Sequence, residues 1–362
     1  MQKPLVVLDA DTLGRQRTGD ESYVANLLRQ LPHVADDLRL AAITRRPELV
    51  PDGIEAIQLD AGNQIYRMSV SLPRVLRQLQ PALAHFQYAV PLGYRGRSVI
   101  TVHDLSFEAG AELTSARDRF VFRRAVRRSA ARADTVLTVS EFTRSEIMRM
   151  YGLDAARVVA LPNGLDPAFL EPLTDMRSQT DGGRAYALFV GTLHPRKDPV
   201  GAVEAIALVE PELDLVMVGP DKGSERAVRS AINRLGLAER VSLRGHVDPS
   251  TLAALYRNAA CLVFPSLYEG FGLPVLEAMA SGTPVVAANT TAIPEVAGDA
   301  AILVEAGSSS ALCGGIERAL ADRERLVALG REQAARFSWR ETARRAADVY
   351  RSVIAGNERG AS

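Results

Sequence analysis

Short apolar runs alternate with longer amphipathic stretches along most of this chain. Runs such as 99–102 are too short for helices and suit strands buried on both faces, whereas stretches such as 116–132 have helical spacing. This alternation is typical of βαβ units, which build a parallel sheet flanked by helices. A polar, glycine-containing segment after residue 168 interrupts it and predicts a linker. We therefore expect an α/β protein with two Rossmann-like, doubly wound domains.

The predicted boundaries follow that alternation. The first domain is placed at 1–168, the linker at 169–184, the second domain at 185–336 and a final helix at 337–358. Strands of the first domain are predicted at 5–8, 40–43, 82–86, 99–102 and 135–139, and its helices at 21–31, 71–79, 116–132 and 140–151. Strands of the second domain are predicted at 186–190, 213–218, 241–243, 260–264, 284–287 and 301–304, and its helices at 199–209, 224–235, 249–258, 274–280 and 311–321.

Composition narrows the class of protein. The chain has 362 residues with 43 basic and 43 acidic side chains, so no global field recruits nucleic acid. Cys261 and Cys313 lack metal-ligand spacing and are too sparse for a disulfide framework, which favours a reducing compartment. No signal peptide is recognisable, and no apolar run approaches the roughly 20 residues that span a bilayer. We expect a cytoplasmic protein that contacts a membrane surface at most peripherally, at its inner face.

The segment with the strongest chemical pattern is 264–284, FPSLYEGFGLPVLEAMASGTP. It predicts a buried strand end, a glycine-rich loop and a short helix. Gly272 lets the backbone approach a ligand closely, and Pro274 suits the first helical turn. The helix N-terminus then presents backbone N–H groups and its dipole to a phosphate. Glu277, one turn into the helix, is placed to accept hydrogen bonds from ribose hydroxyls, and Glu269 lies in the loop.

This segment resembles the nucleotide-sugar signature of the retaining family-4 glycosyltransferases, which have the GT-B fold, and in particular bacterial mannosyltransferases of the glycosyltransferase group 1 type. The resemblance implies two domains that face each other across a cleft, with the C-terminal helix crossing back to the first domain. It also implies transfer of a hexose, with retention, from a nucleoside-diphosphate sugar to a hydroxyl of a cell-envelope glycan or lipid-linked sugar. The first domain then binds the acceptor and the second the donor, without a cofactor or a metal ion.

A second motif, loop 191–199, follows the first strand of the second domain. Arg196 offers a planar fork of donors and Lys197 a compact charge, a pair suited to a diphosphate. The resemblance implies that they stabilise the leaving diphosphate, and that Glu269 and His103 orient the donor sugar. These four residues are the predicted catalytic set. The predicted donor-binding residues are Gly19, Gly191, Val247, Phe271, Gly272, Leu273, Pro274 and Glu277.

Three acids of the first domain are predicted to bind the acceptor, and Asp11 is the first. Asp9 and Asp11 form a D-x-D pattern after the first strand, which in another glycosyltransferase fold holds a divalent metal. Three residues with a free middle position occur easily by chance. We therefore favour an acceptor or loop-capping role over metal ligation.

The other two predicted acceptor-binding residues are Asp20 and Asp104. Thr18 or Asp20 is expected to cap the first long helix. An acid beside a diphosphate is unfavourable, so we assign Asp20 to the acceptor. Asp104 orients either the imidazole of His103 or its own loop, since carboxylates commonly fix a histidine tautomer.

Arginines recur through 116–132, interleaved with apolar residues such as Phe120 and Val121. One interpretation is a solvated helix face docked on the sheet. The other is a patch that meets anionic lipid or a polyprenyl-diphosphate acceptor. Because arginines all around a helix cannot share one face, we favour the first interpretation.

Several alternatives stay open. Among donors, GDP-mannose leads, with UDP-hexoses and a deoxy-sugar nucleotide such as dTDP-rhamnose as competitors. A sugar-nucleotide epimerase of GT-B shape binds the same donor, but acceptor-free conversion distinguishes it. A noncatalytic nucleotide-sugar-binding subunit keeps affinity without transfer, and the full set of predicted catalytic residues argues against it.

Overall fold

The computed structural model describes residues 3–15, 18–59, 62–109, 116–170, 184–209 and 213–356. The chain divides into two compact units. Unit 1 consists of Met1–Gly164 and Ser338–Ser362, and unit 2 of Leu165–Phe337. Most of the predicted linker lies outside the described residues, which omit 171–183.

Seven parallel strands form the sheet of unit 1 within its described residues, in the order β3-β2-β1-β4-β5-β6-β7. These strands are β1 (Leu5–Asp9), β2 (Arg39–Thr44), β3 (Glu55–Gln58), β4 (Leu83–Gln87), β5 (Ser98–Val102), β6 (Thr135–Thr138) and β7 (Val158–Ala160). The first six helices of the chain belong to the same unit and are α1 (Thr18–Gln30), α2 (Gln64–Tyr66), α3 (Leu72–Leu79), α4 (Ser106–Ala109), α5 (Ala116–Arg132) and α6 (Glu141–Tyr151). The strands β1 and β5 are buried throughout, as expected for a sheet covered on both faces.

Six parallel strands form the sheet of unit 2 within its described residues, in the order β10-β9-β8-β11-β12-β13. These strands are β8 (Tyr186–Val190), β9 (Asp214–Val218), β10 (Val241–Leu243), β11 (Cys261–Phe264), β12 (Val285–Ala288) and β13 (Ala301–Val304). The helices of unit 2 are α7 (Pro199–Leu208), α8 (Glu225–Arg234), α9 (Pro249–Asn258), α10 (Leu273–Ala280), α11 (Ile293–Ala297), α12 (Ser309–Ala321) and α13 (Arg323–Ala334). The prediction of two Rossmann-like α/β domains is confirmed.

The last helix, α14 (Trp339–Ala355), returns to unit 1. The Ser338 hydroxyl caps it by accepting a hydrogen bond from the Glu341 amide. Thr342 Oγ1 donates to the Pro162 carbonyl at 2.6 Å, and Arg351 pairs with Asp37 at 2.7 Å. The C-terminal helix therefore packs on the first sheet unit, as the GT-B resemblance implied.

A chain of buried polar groups ties this helix to the sheet. The hydroxyl of Tyr350 lies 2.7 Å from His85 Nδ1, and His85 Nε2 lies 2.7 Å from Thr101 Oγ1. The same Thr101 oxygen lies 3.0 Å from the hydroxyl of Tyr23 in α1. Burial lowers the pKa of His85 to about 3, so the imidazole is neutral and one ring nitrogen accepts a hydrogen bond. These hydrogen bonds link α14, β4, β5 and α1.

Both sheets carry candidate residues at a topological switch point. The strand order reverses between β1 and β4 in unit 1 and between β8 and β11 in unit 2. Doubly wound sheets bind ligands beyond the carboxyl ends of the strands at such points. Asp11 follows β1 at the switch point of unit 1, and His103 follows β5, the neighbour of β4. In unit 2, Arg196 and Lys197 follow β8 and Glu269 follows β11.

Within the described ranges, no helix is both long and apolar enough to cross a membrane.

Candidate functional site

In unit 2 a cluster of two cations and one carboxylate joins the loops after β8 and β11. The Lys197 ammonium donates a hydrogen bond to Glu269 Oε1. Arg196 Nη1 lies 3.8 Å from Glu269 Oε2 and donates to the Tyr268 carbonyl at 2.6 Å. The side chains of Arg196, Lys197 and Glu269 keep exposures of 20%, 14% and 10%. Two positive charges thus face one negative charge at a partly open surface, which suits an additional anion.

Backbone contacts fix the same two loops. The Leu267 amide donates to the Arg196 carbonyl at 2.8 Å. The Glu269 amide donates to Thr291 Oγ1 at 3.0 Å, and Thr291 has the positive φ of 53°. His194 Nδ1 accepts from the Arg196 amide at 3.1 Å and so caps the turn that carries both cations. Sequence reasoning missed Thr291, which belongs to no charge pattern, and assigned no role to His194 because no partner for it was recognisable.

The N-terminus of α10 lies just beyond this cluster along the chain. The helix begins at Leu273 with Pro274 in its first turn, and no side chain caps it at Gly272. Gly272 has φ 112°, and a Cβ there would lie 2.7 Å from Ile293 Cδ1. Only glycine fits this position without strain. An uncapped helix start of this kind attracts anions through its N–H groups and dipole.

The aromatic ring of Phe271 is buried against a second aromatic ring. The residue is 5% exposed, and its ring meets that of Phe337 edge-on at 5.7 Å between centroids. The contact with Phe337 therefore fixes the loop that precedes the N-terminus of α10.

Glu277 lies in α10 and shares a hydrogen bond with a tyrosine from α9. The Tyr256 hydroxyl donates to Glu277 Oε2 at 2.9 Å. Burial raises the pKa of Glu277 to about 7, the Asp166 carboxylate adds to that rise, and the hydrogen bond from Tyr256 opposes it. Glu277 therefore changes charge near neutral pH. Sequence reasoning missed Tyr256, which is separated from Glu277 by the whole of β11.

Glycines bring the remaining loops of unit 2 together. A Cβ on Gly219, directly after β9, would lie 2.0 Å from the Gly191 carbonyl oxygen, so only glycine permits this approach. The Gly219 amide also donates to the Gly245 carbonyl at 2.7 Å. Val247 is half-buried, and the next residue, Asp248, caps α9 through the amides of Ser250 and Thr251. The predicted positions Gly191 and Val247 thus belong to neighbouring loops at one edge of the sheet.

In unit 1 the imidazole of His103 is almost fully buried, with 7% exposure. Its Nε2 lies 2.8 Å from Gln87 Oε1 and 4.0 Å from Asp20 Oδ1. Since an amide oxygen only accepts, Nε2 carries the proton in this contact. The ring of Tyr23 packs edge-on against the imidazole at 4.9 Å.

Asp104 does not orient the imidazole of His103. Its Oδ1 instead accepts hydrogen bonds from the Ser106 amide at 3.0 Å and the Ser106 hydroxyl at 2.6 Å, which starts α4. Of the two roles predicted for Asp104 from the sequence, the structure therefore shows the one in which Asp104 holds its own loop. Gln87 orients the imidazole of His103 instead, because β4 and β5 are neighbours and end at the same edge of the sheet. This role of Gln87 was not predicted from the sequence.

The start of α1 also differs from the prediction. The helix begins at Thr18, so Asp20 lies inside its first turn and is not its cap. A Cβ on Gly19 would meet nothing within 4 Å, and the residue is exposed. Acids in a first turn still stabilise the helix dipole.

Asp9 and Asp11 are surrounded by guanidinium groups. Arg67 Nη2 donates to Asp9 Oδ1, and Arg67 Nε lies 3.4 Å from Asp11 Oδ2. Arg15 donates to Asp11 Oδ2, and Arg45 Nε lies 3.0 Å from Asp11 Oδ1. Burial and the nearby Asp9 carboxylate raise the pKa of Asp11, while the three arginines lower it. Cations already occupy the positions that a metal bound to the D-x-D pattern would take.

The exposed arginines of α5 share one face. Phe120 and Val121 are 65% and 58% exposed, and they are followed by the exposed side chains of Arg124, Arg127, Arg128 and Arg132. At 100° per residue, these six positions span an arc of about 140°. Arg123 points elsewhere and pairs with Glu108 at 3.0 Å. As expected from the sequence, the arginines of α5 do not all share one face, but the exposed ones, Arg124, Arg127, Arg128 and Arg132, do.

Comparison with known proteins assigns these two Rossmann-like parallel-sheet units to a glycosyltransferase of the GT-B fold. The profile of "Glycosyl transferases group 1" matches residues 174–336, and that of "Glycosyltransferase Family 4" matches residues 18–169. The chain belongs to the group 1 glycosyltransferases, and it is an enzyme of that class.

Its relatives agree with this assignment. The chain is 33% identical over 268 residues to the O-antigen chain mannosyltransferase B of Escherichia coli, covering 70% of each chain. It is 30% identical over 315 residues to the D-inositol 3-phosphate glycosyltransferase of Gordonia bronchialis, covering 77% of this chain and 68% of the relative. The fold is similar to that of sucrose-phosphate synthase from Thermosynechococcus elongatus, with TM-score 0.79, 23% identity and coverage of 98% and 100%.

Proposed function

We propose that this glycosyltransferase transfers a hexose, with mannose favoured, from a nucleoside-diphosphate sugar to an acceptor hydroxyl with retention of configuration. The observation that carries the proposal is the cluster of Arg196, Lys197 and Glu269 next to the uncapped start of α10. Cations and free N–H groups arranged together stabilise the charge that grows on a departing diphosphate. Mannose is favoured because the E. coli relative is a mannosyltransferase.

The donor lies in unit 2 in this proposal. Arg196, Lys197 and the backbone at Gly191, Gly272 and Leu273 bind the diphosphate, with Pro274 holding the helix start. Glu277 binds the ribose, because the oxygen that does not accept from Tyr256 is available to a sugar hydroxyl. The loop at Val247 contacts the base.

The chemistry follows from the leaving group. The bond between the sugar C1 and the diphosphate oxygen breaks while the acceptor oxygen bonds to C1 on the same face. The acceptor proton passes to an oxygen of the departing diphosphate, so no protein base is assigned. Glu269 and the loop at Phe271 orient the sugar, and no metal ion is assigned because Arg196 and Lys197 supply the positive charge.

The acceptor is proposed to be a cell-envelope glycan or lipid-linked sugar. Asp20 and Asp104 lie at the carboxyl edge of the sheet in unit 1, where an acceptor is expected. Asp20 keeps 29% side-chain exposure near His103, which leaves it accessible to a hydroxyl. The role of Asp11 is better described as indirect, since both of its oxygens face arginines.

A peripheral contact with the inner face of the cell membrane is part of the proposal. The exposed face of α5 combines Phe120 and Val121 with several arginines, as interfacial helices do. No carboxylate among the described residues pairs with Arg124 or Arg128. Co-sedimentation tests this contact: the protein should bind anionic but not neutral vesicles, and equal binding to both would contradict it.

Thermal unfolding with a panel of GDP, UDP, dTDP and ADP and their common sugars, with and without magnesium, tests the donor site. A ligand of the folded state raises the melting temperature with the logarithm of its concentration. We expect a selective, magnesium-independent shift, with GDP and GDP-mannose favoured. Absence of any shift in a folded protein would overturn the donor assignment, and conversion of a donor without acceptor would favour an epimerase.

A further inference from the structure

The segment between β12 and α11 in unit 2 contains a residue with a strained backbone. Thr291 has φ 53°, in the left-handed region that a β-branched side chain rarely adopts. Such a conformation persists where the surroundings fix it, and it concentrates at functional sites. Here the Thr290 amide donates to the Ala288 carbonyl at 2.9 Å, and the Ile293 amide donates to the Thr290 carbonyl at 3.2 Å. Hydrogen bonds on both sides of Thr291 therefore hold it in this conformation.

This conformation directs the hydroxyl of Thr291 to the loop after β11. Thr291 Oγ1 accepts a hydrogen bond from the Glu269 amide at 3.0 Å. Glu269 is buried, and a buried amide without a partner costs free energy. The hydroxyl of Thr291 therefore fixes the backbone from which the Glu269 carboxylate extends.

The same segment also contacts the start of α10. A Cβ on Gly272 would lie 2.7 Å from Ile293 Cδ1, so the side chain of Ile293 packs directly on the residue that precedes the helix. Residues 289–293 thus hold both ends of the loop between β11 and α10, Glu269 by a hydrogen bond and Gly272 by packing. The segment therefore fixes the position of Glu269 relative to the helix N-terminus.

We propose that Thr291 is a positioning residue that holds Glu269 where its carboxylate orients the donor sugar, an inference that rests on the proposed donor site. The Glu269 carboxylate also accepts a hydrogen bond from the Lys197 ammonium. Without the Thr291 hydroxyl the backbone at Glu269 shifts, and its carboxylate moves away from both the sugar and Lys197. The cation stays available to the diphosphate. Affinity for the nucleotide sugar should therefore depend on Thr291, whereas affinity for the nucleotide alone should not.

Three substitutions of Thr291 and one of its neighbour test this role. Thr291→Val keeps the shape of the side chain without the hydroxyl, and Thr291→Ser keeps the hydroxyl. Thr291→Gly removes the hydroxyl together with the backbone strain, so it repeats the test if Thr291→Val does not fold. Thr290→Val is the matched control, because the Thr290 hydroxyl contacts the Leu267 carbonyl only at 3.5 Å.

The first measurement is calorimetry with GDP and GDP-mannose. We expect Thr291→Val and Thr291→Gly to lower the ratio of the GDP-mannose affinity to the GDP affinity about tenfold, as for loss of one hydrogen bond of a buried group. Thr291→Ser and Thr290→Val should keep the wild-type ratio. Binding of both ligands by every variant with the wild-type ratio would overturn the positioning role.

The second measurement needs no nucleotide and is acylation of Lys197 followed by peptide mass spectrometry, with the exposed Lys222 as the internal standard. An amine held by a carboxylate is less available to the reagent, so labelling of Lys197 should rise several-fold in Thr291→Val and Thr291→Gly but not in Thr291→Ser. Unchanged labelling in all variants would overturn the proposal. Increased labelling in a protein that binds neither GDP nor GDP-mannose would overturn the proposed donor instead and leave the positioning of Glu269 supported.

Discussion

The two units each hold a cluster of arginine or lysine with carboxylates at the carboxyl edge of a parallel sheet, yet the clusters differ in burial. In unit 2, Arg196, Lys197 and Glu269 keep 10% to 20% of their side-chain surface exposed. In unit 1, Arg67 and Asp9 keep only 2% and 7%. Breaking a buried ion pair leaves an uncompensated charge in the interior, whereas partly exposed charges can be solvated. The unit 1 cluster should therefore govern stability, and the unit 2 cluster should govern activity.

Among the variants that test this comparison, Arg67→Met should have the largest effect, and that effect is on stability. The variant leaves Asp9 buried without its partner and should lower the free energy of unfolding by about 3–5 kcal/mol. Chemical denaturation measures this change. Arg67→Met combined with Asp9→Asn removes both charges and should recover part of the loss. A single variant as stable as the wild type would show that the Arg67 pair does not contribute to stability.

The second effect should be on activity alone. Lys197→Ala removes one cation from the proposed diphosphate site and should lower kcat about 10²- to 10³-fold, as loss of a preorganised electrostatic group does. The melting temperature should change little, because Lys197 is partly exposed. Lys222→Ala is the matched control, since Lys222 is an exposed lysine of the same unit. Equal activity of the two variants would contradict a role for Lys197 in the reaction.

The smallest expected effect is on the pH dependence of nucleotide binding by Glu277 in unit 2. The pKa of Glu277 in the folded protein, about 7, is above its ordinary value of 4.5. Ribose hydroxyls donate to the carboxylate form, so nucleotide affinity should fall about tenfold as the pH drops through this pKa. Because folding raises the pKa of Glu277, its protonated form contributes fully to the stability of the folded state below pH 4.5. That contribution is lost as the pH rises through about 7.

Two variants test this pH dependence by calorimetry. Glu277→Gln should bind nucleotide with an affinity that no longer changes across the pKa of Glu277. Tyr256→Phe removes a hydrogen bond that lowers that pKa, so the midpoint should move to higher pH. A 2′,3′-dideoxynucleotide is the control and should show no such pH dependence. A wild-type profile that is flat for the ribonucleotide would rule out ribose binding by Glu277.

The elements predicted well are those with a strong pattern of their own. The bounds of α5 and α9 agree with the prediction, because their apolar and polar positions have clear helical periods. The strand β3 was missed because it is a mostly exposed edge strand, and the three-residue strand β7 was also missed. The helix α13 was missed because few of its residues are buried and half of them are polar.

The sequence alone determined the class of each unit and the chemical groups at the strand ends. Periodicity and turn residues are local properties, so they predict two sheets, a helix N-terminus after Gly272 and charged residues such as Arg196, Lys197 and Glu269 in loops. The resemblance carried by 264–284 then indicated the enzyme family, and the comparisons confirm it. The roles of the individual site residues stay predictions.

Only the tertiary structure decided which groups meet. Lys197 and Glu269 are 72 residues apart, and Arg67 and Asp9 are 58 residues apart. Gln87 reaches His103 because β4 lies beside β5, and Tyr256 reaches Glu277 because α9 packs near α10. Strand order and helix packing bring such pairs together, and neither is a property of any short segment. The physical reason is that an ion pair or a shifted pKa depends on distance and burial, which only the folded chain defines.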